Sequence, residues 1–190
     1  DTRKVWWDPG EAWSICRPVC TVMRVLAEAK ADMQHVVGVS DMTVAGAPGD
    51  LVVTHSLGSC VGVAVWDPLV RVGGILHFQL PTSAVGIRSV AENPYAYADT
   101  GIPSLFRAAR DLGAVIARMR VKLSGGANIL DSSGTFNIGL RNLTAARRML
   151  WKHGILVDAE DVGGDFWRTM ILDIDSGRLT IKTGDGAYDI

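Results

Sequence analysis

The stretch LVVTHSLGSCVGVAVWD, residues 51–67, holds two apolar runs separated by a glycine–serine turn that ends in Cys60. β-Branched residues fill both runs, and neither is long enough for a helix, so LVVT and VGVAVWD are expected to be strands. Alternate strand residues share a face. In register with the second run, Cys60 shares a face with Gly62 and Ala64, while Val61, Val63 and Val65 fill the other. A free cysteine often acts as a small buried hydrophobe, and on these residues alone core filler is the commoner outcome. Small neighbours nevertheless leave room above the thiol. Gly58 and Ser59 would bring backbone N–H groups near the sulfur, where an oxyanion can be received.

Outward from this stretch the chain is strand-rich. HVVGVSDMTVAG (35–46) reads as one or two strands, APGD (47–50) as a turn and GGILHFQL (73–80) as another strand. The segment 82–101 has no period and is expected to be a long loop bordering a site. PSLFRAARDLGAVIARM (103–119) predicts a helix with Pro103 in its first turn and Asp99 or Thr100 as cap. VKLSGG (121–126) is a strand and turn. NIGLRNLTAARRMLWKHG (137–154) predicts a second helix closed by Gly154. ILVDAEDVGG is a strand, and RTMILDIDSGRLTIKTG (168–184) a hairpin turning at Asp175-Ser176-Gly177. Strands, helix, strand, helix, strands without regular alternation imply an α/β or α+β sandwich.

At 190 residues the chain suits one domain. Residues 1–32, unpatterned and rich in tryptophan, are expected to form an extension outside a domain of residues 33–190, with a short helix within 21–33. A net charge of -1 gives no global attraction for nucleic acid or an anionic membrane. No apolar run is long enough to span a bilayer, and no basic-then-apolar leader opens the sequence, which argues for a cytoplasmic protein. Cys16, Cys20 and Cys60 fit reduced thiols better than a disulfide framework.

A cysteine nucleophile needs a base, since a free thiol is only slightly ionised at neutral pH. Of the four histidines, His77 stands apart. It shares a strand face with Ile75 and Gln79, a polar pair on an otherwise apolar strand. A lone histidine of this kind is more often a satisfied core residue, but an adjacent strand carrying Cys60 raises the odds of a catalytic pair. Thr54 is a candidate to orient the base. His55 remains open, His35 has no distinguishing context, and His153 suits a helix end. Cys16-x3-Cys20 lacks partners for zinc, and Gly125-Gly126 lacks the lysine of a phosphate loop. Arg141, Arg147, Arg148 and Lys152 read as a solvated helix face.

VGVSDMTV, LGSCVGVAVWDP, GGILHFQLP, YADTGIPSLF, VKLSGGANIL, NIGLRN and DVGGDFWR, in this order across residues 34–182, resemble the CheD family of chemoreceptor glutamine deamidases. The resemblance implies a layered β/β/α sandwich, similar also to the catalytic domain of cytotoxic necrotizing factor toxins. It implies catalysis by a cysteine, a histidine and a threonine, which fall on Cys60, His77 and Thr54, with no metal or organic cofactor. Implied partners are methyl-accepting chemotaxis receptors and a CheC-type phosphatase, with no nucleic acid and no membrane insertion; a monomer is expected. Some members also hydrolyse receptor methyl esters. One departure is that Ile129-Leu130 stands where the family often has methionine and an aromatic, which weakens the expectation of phosphatase docking. The rival expectations are a deamidase with another protein target and a binding partner with little catalysis of its own.

Overall fold

Strands β4 (Val61–Asp67) and β5 (Val72–Phe78) are buried at every position, as strands covered on both faces must be. Around them lie β2 (Asp41–Ala45), β6 (Arg120–Gly125) and β7 (Ala159–Val162). Together they form a five-stranded sheet of order β2-β5-β4-β6-β7 in this computed structural model, which describes residues 33–85, 90–129 and 137–190. A second sheet is built from β1 (Gln34–Val37), β3 (Leu51–Leu57), β8 (Arg168–Asp173), β9 (Leu179–Thr183) and β10 (Gly186–Asp189), in the order β1-β3-β8-β9-β10. Along β8, buried and partly exposed residues alternate, the mark of a sheet with one solvated face. Helices α1 (Ala98–Asp111) and α2 (Ile138–Lys152) cover the far face of the first sheet. The architecture is an α/β sandwich layered β/β/α.

Parity along β4 sorts the two cores. Val61, Val63 and Val65 pack with Leu76, Phe78, Ile102, Leu105 and Leu143 on the helix side. Ala64, Trp66 and Ile75 pack between the sheets against Val52, Leu57, Met170, Leu172 and Ile181. Gly62 permits a close approach of the layers, since a Cβ there would stand 2.2 Å from Met170 Sδ.

Several local expectations change. HVVGVSDMTVAG is two strands in different sheets, broken at Ser40, whose φ is +58°. The LVVT strand continues to Leu57 through a bulge: Thr54 pairs with Met170 but Leu57 with Arg168, and Ser56 has φ +58°. One extra residue resets the alternation. Val52, Thr54 and Leu57 all face inward, and His55 is turned out to solvent.

Helix α1 begins at Ala98, so Pro103 lies inside it and neither Asp99 nor Thr100 is its cap. Asp99 instead sits in the first turn, where a carboxylate is favourable, and accepts the Ser83 N–H and the Thr82 and Ser83 hydroxyls. The helix stops at Asp111 because buried Asp67 captures the chain beyond it, accepting the Val115 N–H at 2.8 Å and two guanidinium bonds from Arg118. The segment 82–101 therefore contributes, among its described residues, two single helical turns, Ser83–Val85 and Pro94–Ala96, and the start of α1. The expected helix within 21–33, Cys16 and Cys20 lie outside the described residues.

Candidate active site

The inward face of the first sheet carries His77 at the end of β5, directly opposite Gly62 on β4. Across the sandwich, Thr54 of β3 lies on the facing sheet, and its hydroxyl reaches His77 Nδ1 at 2.8 Å. The same hydroxyl donates its one proton to the Val37 carbonyl at 2.9 Å. It can therefore only accept from His77, which places the imidazole proton on Nδ1 and leaves the lone pair on Nε2. Both side chains are 0% exposed, and Nε2 is buried without a hydrogen-bond partner among the described residues. Burial disfavours the imidazolium and lowers the His77 pKa to about 4. The imidazole is thus neutral at physiological pH.

Cys60 precedes Gly62 by two residues, just before β4 begins, and packs at the edge of the inter-sheet core. That makes it the diagonal neighbour of His77. Such neighbours in an antiparallel pair lie roughly 7–8 Å apart, within reach of longer side chains. The thiol does not hydrogen-bond Nε2 in this state. Burial raises the Cys60 pKa, and its own backbone N–H opposes that shift. Thiol and imidazole are both neutral at rest.

The turn before Cys60 is fixed through its carbonyls. Gly58 O accepts from Ala127 N at 2.8 Å, Ser59 O from Asn142 Nδ2 at 3.0 Å and Cys60 O from Gly126 N at 2.7 Å. The N–H groups of Gly58, Ser59 and Cys60 have no backbone acceptor among the described residues. Gly125 and Gly126, expected as a turn after the strand, let this approach happen. Gly125 has φ +101°, and a Cβ on it would fall 2.4 Å from the Cys60 carbonyl oxygen. Above Gly58 lie Trp167 and Ile129, whose side chains a Cβ at 58 would meet at 2.8 and 3.0 Å. Trp167 is 52% exposed and forms the lip of the site. Its segment is anchored by buried Arg168, which pairs with Asp161 and lies 4.0 Å over the Phe166 ring.

The other histidines lie elsewhere. His55 points outward to Thr169, His35 stands 3.2 Å from Asp50, and His153 caps the end of α2. Among the described residues, no three His, Cys, Asp or Glu side chains gather as metal ligands, and no helix is long and apolar enough to cross a membrane. Sequence reasoning missed Asn142 and Trp167. Both lie in stretches that carry the resemblance to the CheD family, but nothing in the spacing ties either to the Cys60 turn.

Residues 79–183 match the family model described as CheD chemotactic sensory transduction. The chain is 44% identical over 151 residues to the probable chemoreceptor glutamine deamidase CheD 1 of Syntrophus aciditrophicus, covering 80% of this chain and 94% of that protein.

The chain belongs to the CheD family.

A second CheD relative, from Anaeromyxobacter dehalogenans and also named a probable chemoreceptor glutamine deamidase, is 46% identical over 149 residues, covering 78% of this chain and 94% of its own length. The chemoreceptor glutamine deamidase CheD of Thermotoga maritima is 37% identical over 155 residues, covering 81% of this chain and 95% of that protein. Among solved structures, Bacillus licheniformis hypothetical protein YfiH aligns with a TM-score of 0.40 at 16% identity, covering 68% of this chain and 59% of that one.

Proposed function

We propose that this CheD protein is a glutamine deamidase of methyl-accepting chemotaxis receptors, converting glutamine side chains to glutamate with release of ammonia. One observation carries the mechanism. Thr54 holds His77 in the Nδ1–H tautomer, leaving a buried Nε2 lone pair beside the strand that Cys60 precedes. The relatives' names supply the substrate class.

In this reading Cys60 Sγ attacks the carboxamide carbon while its proton passes to His77 Nε2. The carbonyl π pair becomes an oxyanion, received by backbone N–H groups of Gly58, Ser59 or Cys60. The oxyanion collapses, the C–N bond breaks, and Nε2 returns the proton to the departing ammonia. Water then loses a proton to Nε2 and attacks the thioester. Collapse of this second intermediate releases glutamate and re-forms the thiol. Thr54 keeps the ring in one tautomer throughout. The same chemistry admits receptor methyl esters. The reading places the protein in the cytoplasm as a monomer, assigns the activity to residues 33–190, and leaves a CheC-type phosphatase as a second partner.

The test is mass spectrometry of a receptor cytoplasmic fragment incubated with wild-type or Cys60→Ala protein. Wild type is expected to give the mass gain of amide becoming acid at defined glutamines, and the variant none. A fragment left unchanged by wild type removes the receptor as substrate. Conversion by both proteins removes Cys60 as nucleophile.

A further inference from the structure

Helix α2 turns Gly139, Asn142, Leu143, Ala146 and Leu150 inward. In that stripe Asn142 alone carries a polar side chain, and it is 0% exposed. A buried amide costs stability unless hydrogen-bonded, and leucine or alanine would suit the stripe better. Its placement therefore calls for a reason beyond packing.

Nδ2 donates to Gln79 O at 2.7 Å and to Ser59 O at 3.0 Å. Both acceptors are carbonyls, so the NH₂ end of the amide must face them. Ser59 immediately precedes Cys60, and Gln79 stands two residues beyond His77. The β4–β5 ladder ends at the pair Val61–Phe78. Asn142 thus joins the two chains just past their last pairing, where the other bonds of Gln79 run to Ala96 and Ser40 and that of the Cys60 carbonyl to Gly126, each away from the opposite chain. Its Oδ1 is buried without a partner among the described residues. Only the amine end is in use, which is what a clasp between two carbonyls requires.

We propose that Asn142 is a positioning residue that holds the Cys60 turn and the end of the His77 strand at the separation proton transfer needs. This deepens the deamidase reading and rests on it. Displacing a catalytic group by about 1 Å costs on the order of 100-fold in rate. Asn142→Ala is therefore expected to lose about that much kcat on a receptor fragment, with little change in KM.

The variants are Asn142→Ala and Asn142→Ser, the latter retaining one shorter donor and expected to keep an intermediate kcat. Thermal unfolding and circular dichroism establish which are folded. The second readout is the pH profile of Cys60 alkylation by iodoacetamide, which needs no substrate. In Asn142→Ala this profile is expected to approach that of His77→Gln. Adding Asn142→Ala to His77→Gln is then expected to change little, because the amide acts through that pair.

Unchanged kcat in a folded variant overturns the proposal. So does a loss that recurs in full in the His77→Gln background, or a failure of both variants to fold, which would make Asn142 a folding residue. If wild type does not deamidate the fragment, the deamidase reading fails by itself, and the alkylation cycle still decides the role of Asn142.

Discussion

Thr54 and His77 lie fully buried between the two sheets and touch each other, whereas Ser59 and Cys60 lie partly exposed at the sheet end and are held through main-chain carbonyls. The base half of the proposed site is set when the sandwich closes, because its two members come from different sheets. The proposed nucleophile half is set by a turn whose carbonyls α2 and Gly126-Ala127 hold, while its N–H groups have no backbone acceptor among the described residues. Of the two halves only the second is exposed at all. In the proposed mechanism this division lets a sealed base with a lowered pKa sit beside a thiol that meets a large partner.

Cys60→Ala tests this division most severely. It should abolish deamidation, while a partly exposed thiol at the core edge contributes no more than about 1 kcal/mol to stability. Chemical denaturation alongside the mass-spectrometric assay measures both. A large loss of stability would mean that the thiol belongs to the buried half.

The pH dependence of stability comes next. His77 has a folded pKa of about 4 against an ordinary 6.5. Between those values the unfolded chain binds the extra proton, so this contribution is full above pH 6.5 and is lost as pH falls towards 4. A shift of this size corresponds to about 3 kcal/mol. Urea denaturation of wild type and His77→Gln across this window should give a steeper acid loss for wild type. The acid limb of kcat/KM should lie near pH 4, well below that of an ordinary histidine. Parallel stability profiles would show that His77 is not sealed.

Much of this arrangement was legible in the chain. Period-two parity placed Cys60 with Gly62 and Ala64, and His77 with Ile75, because β4 and β5 are regular strands whose alternation nothing interrupts. Alternation cannot be read through a stretch where the backbone departs from regularity. The bulge at Ser56 turns Leu57 inward, and no residue type in THSL requires it. Asn142 looked like one more polar residue of a helix, because its acceptors at Ser59 and Gln79 are distant in sequence. Pro103 misplaced the start of α1 because proline is commonest in a first turn, while the Asp99 contacts that favour an earlier start come from Thr82 and Ser83.

Thr54→Val sharpens the comparison from within the buried half. Valine keeps the shape but removes the acceptor for His77 Nδ1–H and the donor to Val37 O. Leaving such groups unpaired costs about 1–3 kcal/mol of stability. Freeing the tautomer should lower kcat by roughly 10²-fold, the lower range for general-base catalysis, with KM little changed. Steady-state kinetics and denaturation of one preparation check both. A stability loss with kcat intact would make Thr54 a packing residue.

The smallest effect belongs to the open half. Trp167 covers Gly58 and is 52% exposed, so Trp167→Ala removes contact surface at the lip without disturbing the buried pair. An exposed tryptophan at a docking surface is expected to contribute about 1 kcal/mol or more to binding, so KM on a receptor fragment should rise several-fold while kcat holds. The opposite split, a lower kcat at constant KM, would assign Trp167 to placing the Gly58–Cys60 turn. In that case the tryptophan would brace the turn from the substrate side, as Asn142 does from behind.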